Sequence, residues 1–402
     1  MKVQDKILFF ISLLVVVFET YHQFHYVSMF FRGYFYTSLW FICCFSLRTS
    51  IINLKVFFPF LLFFFFAFLY YLRGGEYYNL CSFTQLLLMF TYYIVPPLLF
   101  LHYRKFISTN LSVFCLVILL ILTSYSLIVT IPFASEDASL IRLMAVDHDL
   151  GEKMSILGVM SYSLSHGVVF IIPGLCYIIK ASHKIKYKII AVAITIEVFF
   201  VIYYSGASTP LILGISIFLI SLVYSSKRSL KHNLVVIFFI SCFTLLALND
   251  SVLYSIIDAS LPVVEGTPFE GKLIEFKTSI DVGYLSGNDI EARQGLLGKT
   301  MDVFFSSPIF GGTGEVGNHN YFIDILASVG IVGIVPLILY LVRLTKQLGR
   351  SLPKVVKPYF IIGISFFLLM GCMKNFFGME LYLMTFFVLP LMLYIYSYKE
   401  AD

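Results

Sequence analysis

Apolar runs long enough to cross a bilayer recur along most of the chain, and this repetition constrains its fold more than any other feature. A hydrocarbon core of about 30 Å requires about 20 apolar residues in helical form. Such stretches lie near 6–22, 28–47, 55–72, 80–101, 110–133, 154–179, 187–205, 208–225, 233–249, 319–342, 356–373 and 379–398. Open strands in lipid would leave backbone groups unpaired, so the spans are read as helices. The fold class expected is an all-α polytopic membrane protein with about twelve transmembrane helices. Charge agrees: only 13% of residues are charged, where a soluble domain carries about 25%. No small-x-small cleavage site follows the first run, since Glu19-Thr20-Tyr21-His22 comes next. That run is expected to be a retained span.

With the N-terminus inside, the cytoplasmic segments hold 19 of the 28 Lys and Arg residues. The positive-inside rule then places both termini in the cytoplasm. Residues 1–249 form nine spans, 250–318 one large external loop with short helices, and 319–402 the last three spans. In a Gram-negative cell that loop is periplasmic and the protein is multi-pass in the inner membrane. The loop sets ten acidic side chains against Lys272, Lys277, Arg293 and Lys299. An anionic substrate would therefore be held by a few chosen cations. Asn288-Asp289-Ile290-Glu291 reads as a helix start, with capping residues and first-turn acids. The helix sets Arg293, Leu297, Thr300 and Phe304 on one stripe and ends at Pro308.

Several chemistries lack their motifs. There is no GxxxxGK[ST], no HExxH, no CxxC and no clustered metal-ligand set, so neither nucleotide nor metal is expected. The seven cysteines avoid the external loop and support no disulfide framework; they read as small buried apolar residues. Gly311-Gly312-Thr313-Gly314 is either a phosphate-cradling nest or a tight turn after Ser307-Pro308. The junction Asn318-His319-Asn320 draws the eye because the one sizeable loop re-enters the membrane there. Asp324 follows one helical turn later, and an ionisable side chain inside a span faces the protein interior or water. Ala327, Gly330 and Gly333 continue the helix with small side chains suited to close packing. Taken alone, these residues also fit a satisfied interfacial histidine beside helix-packing glycines.

The run Arg293 … Phe304-Phe305-Ser306-Ser307-Pro308-Ile309-Phe310-Gly311-Gly312 … Asn318-His319-Asn320 … Gly330-Ile331-Val332-Gly333 resembles the O-antigen ligase/polymerase superfamily. The resemblance extends to twelve spans, cytoplasmic termini and a large loop between the ninth and tenth spans. It implies metal-independent glycosyl transfer, without a cofactor, from a glycan on undecaprenyl pyrophosphate. His319 would be the general base, and Arg293 would hold the pyrophosphate as it departs. Asn318, Asn320 and Glu315 would orient the histidine or the sugars. Where the family carries a second arginine near the eighth span, Ser205-Gly206-Ala207-Ser208-Thr209-Pro210 has none. Arg142, Lys299, Arg73 or Lys374 would have to replace it. His-Asn-x9-Gly-x-x-Gly favours the ligase branch, which transfers glycan to lipid A-core. The missing arginine and the Phe/Ile/Lys-rich composition resemble the polymerases, and polymerase is the reading adopted. Membrane lipids and a chain-length regulator are the further partners implied; nucleic acid is not. A flippase for the lipid-linked oligosaccharide is the alternative from another class, with Glu197 its candidate intramembrane acid.

Overall fold

The computed structural model describes residues 3–20, 40, 42, 53–136, 140–146, 148–204, 208–224, 250–267, 269–271, 273–274, 277, 289–374 and 378–399. Among these the chain is all-helical, with no strand. In order it forms α1 (Val3–Thr20), α2 (Leu54–Leu72), α3 (Phe83–Phe106), α4 (Thr109–Glu136), short α5 (Leu140–Val146) and α6 (His148–Ile156), and α7 (Tyr162–Ala181). There follow α8 (Ile185–Tyr204), α9 (Ser208–Val223), α10 (Asp250–Val264), α11 (Asp289–Ser306), α12 (Tyr321–Arg350), α13 (Lys357–Met373) and α14 (Met379–Ser397). Six of these described helices, α2, α3, α4, α7, α12 and α14, are long and apolar enough to cross a membrane. Of the other expected spans, 28–47 and 233–249 lie almost wholly outside the described residues.

Local signals explain where the helices start. Asn53 caps α2, its Oδ1 accepting from the Lys55 amide at 3.1 Å. Ser82 caps α3 by accepting from the Gln85 amide at 3.2 Å. Both satisfy amides that an α-helix cannot pair internally. On α2, Phe57, Phe60, Phe63, Ala67 and Tyr70 are buried while Phe58, Leu61 and Phe65 are exposed. Such an apolar outer face suits lipid rather than water. In α7 and α14, 78% and 89% of the apolar window is buried, against 39% in α2 and α4. The first pair is therefore the centre of the bundle and the second its rim. An aromatic knot ties α2, α3, α12 and α14: Phe60 meets Tyr340 with tilted rings 5.0 Å apart, and Tyr93 meets Tyr382 edge to face at 4.9 Å. Within it the Tyr340 hydroxyl donates to the Tyr93 carbonyl at 2.5 Å.

The most consequential feature of the fold is a break in α12. Gly330 adopts φ 66° and ψ −174°, so α12 is two helices, 321–329 and 331–350, meeting at one residue. An unbroken helix would bond the Ile331 amide to the Ala327 carbonyl. Instead Ile331 and Val332 donate to the carbonyls of Pro308 and Ile309 at 3.0 and 3.1 Å, and Ala327 accepts from the Gly312 amide at 3.0 Å. The freed groups thus find new partners, the condition under which a helix can break at membrane depth. Gly330 therefore does more than permit helix packing. Its backbone conformation belongs essentially to glycine, and a Cβ there would lie 2.3 Å from the Ile309 carbonyl oxygen. Gly311, at φ 78°, faces the same junction, its would-be Cβ 2.0 Å from the Ser328 carbonyl oxygen. The second glycine of the spacing, Gly333, fits the packing expectation: a Cβ there would lie 2.5 Å from Val329 Cβ and Cγ2 and 3.5 Å from Phe66 Cβ.

Two smaller expectations change. Helix α11 covers Asp289–Ser306 and stops short of Pro308, as its signals predict. Its packed face, however, runs through Thr300, Val303 and Phe304, with Leu297 left exposed. The incoming loop lies on that side, the Gly317 amide donating to the Thr300 oxygen at 2.9 Å. Cys115 and Cys176 are buried as expected, whereas Cys372 is exposed near the end of α13.

Candidate functional site

His319 is half-buried in the turn that leads into α12. The turn is held by a carboxylate. Asp324, fully buried, accepts from the Thr300 hydroxyl at 2.8 Å and from the Asn320 amide at 3.0 Å. The His319 backbone amide also bonds to it. Thr300 has a second role, its oxygen accepting from the Gly317 amide at 2.9 Å. One threonine on α11 and one aspartate on α12 therefore fix the backbone on both sides of the histidine. The acid expected to face the protein interior does so, and its task there is to position the turn.

The flanking asparagines are anchors as well. Asn318 takes φ 54°, a left-handed conformation that asparagine tolerates better than most residues. Its Oδ1 accepts from the Tyr78 amide at 3.4 Å, and its Nδ2 donates to the Val316 carbonyl at 3.3 Å. The Asn320 side chain, with its amide oriented by its surroundings, donates to the carbonyls of Cys372 and Met373 at 3.2 and 3.3 Å. Next to it the Tyr321 amide donates to the Lys374 carbonyl at 3.2 Å. The histidine turn is thus clasped by α11, by the segment after α2, and by the end of α13. Beneath it Tyr77 is fully buried, and burial holds its phenol pKa well above the usual value, with Tyr321 and Asp324 pushing the same way. Tyr77 consequently stays a neutral hydroxyl.

The cations are distributed less tightly. Arg293 lies on α11, seven residues before Thr300, or about 10 Å along the helix; its side chain and that of Arg142 on α5 are outside those described. Lys299 is exposed beside Thr300, and Glu315 is exposed three residues after Gly312. Arg73 donates from both terminal nitrogens, to the Phe310 carbonyl at 3.2 Å and the Gly311 carbonyl at 3.1 Å. It clamps the turn that fills the Gly330 break. Lys374 lies within electrostatic reach of His166. In Gly311-Gly312-Thr313-Gly314 the Gly311 amide donates to Ser307 at 2.8 Å and the Gly312 amide to Ala327, so these two amides serve a tight turn. The contribution of Thr300 and Arg73 was not signalled by the sequence, since neither belongs to a motif.

A half-buried imidazole on a backbone fixed from three sides can take a proton from a hydroxyl held beside it. The positioning is open to test. Asp324→Ala leaves several amide and hydroxyl donors without their acceptor, at about 1–3 kcal/mol for each that stays buried. We expect a clear fall in thermal stability in detergent and faster proteolysis within 316–320, with Asp324→Asn partly restoring both. Unchanged cleavage of the turn in Asp324→Ala would contradict the anchoring role. No protein-family model matches the chain, and no curated protein matches it.

Proposed function

We propose that the chain is an integral membrane glycosyltransferase that joins undecaprenyl-pyrophosphate-linked repeat units into a surface polysaccharide of the O-antigen type. It would act at the periplasmic face of a bacterial inner membrane, within a framework of twelve spans and cytoplasmic termini. One observation carries the reading. Of the three stretches that bear the family resemblance, 304–312 and 330–333 pair through backbone hydrogen bonds, and the segment after α2 reaches both 304–312, through Arg73, and 318–320, through the Tyr78 amide on Asn318. A histidine needed only for packing would not require so much fixed backbone around it.

In the reaction the bond between the donor sugar's anomeric carbon and the pyrophosphate oxygen breaks. A new bond forms to the acceptor hydroxyl oxygen, the hydroxyl proton passes to His319, and undecaprenyl pyrophosphate leaves. Arg293 would meet the growing negative charge on that leaving group. Arg73 is committed to the Phe310 and Gly311 carbonyls, which leaves Lys299, Lys374 or Arg142 for a second cation. Transfer to lipid A-core is the second reading, favoured by the His-Asn-x9-Gly-x-x-Gly spacing. A carrier is favoured by one feature: Glu197 Oε2 on α8 is buried with no hydrogen-bond partner among the described residues, the kind of intramembrane acid that transporters use.

Reconstitution with an undecaprenyl-pyrophosphate-linked oligosaccharide separates these readings. A polymerase lengthens the glycan and releases one undecaprenyl pyrophosphate per bond formed, and Glu197→Gln should retain at least about half of the wild-type rate, as expected of a residue remote from the chemistry. Movement of the lipid across the bilayer at constant glycan length, lost in Glu197→Gln, would overturn the enzyme reading.

A further inference from the structure

The end of the bundle opposite His319 contains a pocket of about 1010 Å³ whose lining includes Lys55, Arg104, Arg343, Lys346 and Arg350 and, among the described residues, no carboxylate. Its construction follows from helix geometry. Arg343, Lys346 and Arg350 are spaced by three and four on α12 and so share one face. Lys55 stands at the start of α2 and Arg73 at its end, so about 27 Å of helix separates the pocket from the histidine turn. Arg343 donates to the Lys55 carbonyl at 2.6 Å, tying the floor of α2 to α12. The Arg104 guanidinium, 5.8 Å from the Tyr394 ring centre, closes the third side from α3.

Five cations lining one pocket make its potential positive and favour an anion over a neutral ligand. One further feature says what kind. Leu54 and Phe58, both exposed, also line the pocket, giving it an apolar wall continuous with the outer face of α2. A free phosphate would serve the cations and leave the wall bare. We propose that this pocket holds the phosphodiester headgroup of an anionic membrane phospholipid, its acyl chains against the apolar wall. Basic pockets between membrane helices recognise lipid headgroups in this way. The site is independent of the transfer reaction.

The test is native mass spectrometry of the purified full chain titrated with phosphatidylglycerol, phosphatidylethanolamine or inorganic phosphate. Wild type should retain one phosphatidylglycerol in preference to phosphatidylethanolamine, and millimolar inorganic phosphate should not displace it. Lys346→Gln with Arg350→Gln should weaken retention about thirty-fold, the effect of two cations at an anionic surface. Lys184→Gln with Lys186→Gln removes equal charge elsewhere and should change nothing. Arg104→Gln gives an independent check should the double variant fold poorly, and should weaken retention about five-fold. Equal loss in the control variant, equal retention of phosphatidylethanolamine, or displacement by inorganic phosphate would each overturn the proposal, as would unchanged retention in the Arg104 variant.

Discussion

A valine at position 330 is expected to dismantle the frame around His319, with the largest structural effect of any single substitution in the chain. The residue sits at φ 66° and ψ −174°, where a side chain costs about 1–3 kcal/mol in backbone strain. Its Cβ would also lie 2.3 Å from the Ile309 carbonyl oxygen, so the turn must move away. When it moves, Ile331 and Val332 lose Pro308 and Ile309 as acceptors, and Ala327 loses Gly312. The helix could then close into a continuous rod, which would swing 321–329 and Asp324 away from Thr300. Gly330→Val should accumulate poorly and, where purified, melt well below wild type. A stable Gly330→Val protein would show that the break is not required.

Removing the imidazole should have the largest effect on activity. His319→Ala is expected to lower glycan transfer by about 10²–10⁴-fold, the range for loss of a positioned general base. Stability should change little, since hydrogen bonds of the turn's backbone and of Asp324, Thr300, Asn318 and Asn320 already fix it. Asp324→Ala should lose transfer together with stability. That contrast separates a group that reacts from one that positions.

The sequence carried much of this and missed a definable part. The helices declared themselves because an apolar run of bilayer length leaves the backbone no other way to pair. Helix α11 declared itself through the acids at its start and Pro308 after its end. His319 and Asp324 were conspicuous as polar residues where the chain turns apolar. The break was not legible: Gly330 and Gly333 have the spacing of a helix-packing motif, and nothing local reveals that amides after Gly330 bond to 308–309. Thr300 reads as part of a packed stripe and Arg73 as a candidate second cation, and their anchoring roles were missed for the same reason. Arg73 meets Phe310 across 237 positions, and helical periodicity carries no information over such separations. Asn318 and Asn320, expected to orient the histidine or the sugars, place their side chains on the backbone of Tyr78, Val316, Cys372 and Met373, because a turn this tight needs its own hydrogen bonds satisfied first.

The most direct test of the central claim is a lipopolysaccharide gel of a strain deleted for this gene and complemented with wild type or with His319→Ala at matched protein levels. Polymerase activity at His319 predicts a ladder for wild type and core carrying a single repeat unit for the variant. Bare core with lipid-linked polymer accumulating would assign the chain to ligation, and a normal ladder from the variant would contradict a catalytic His319.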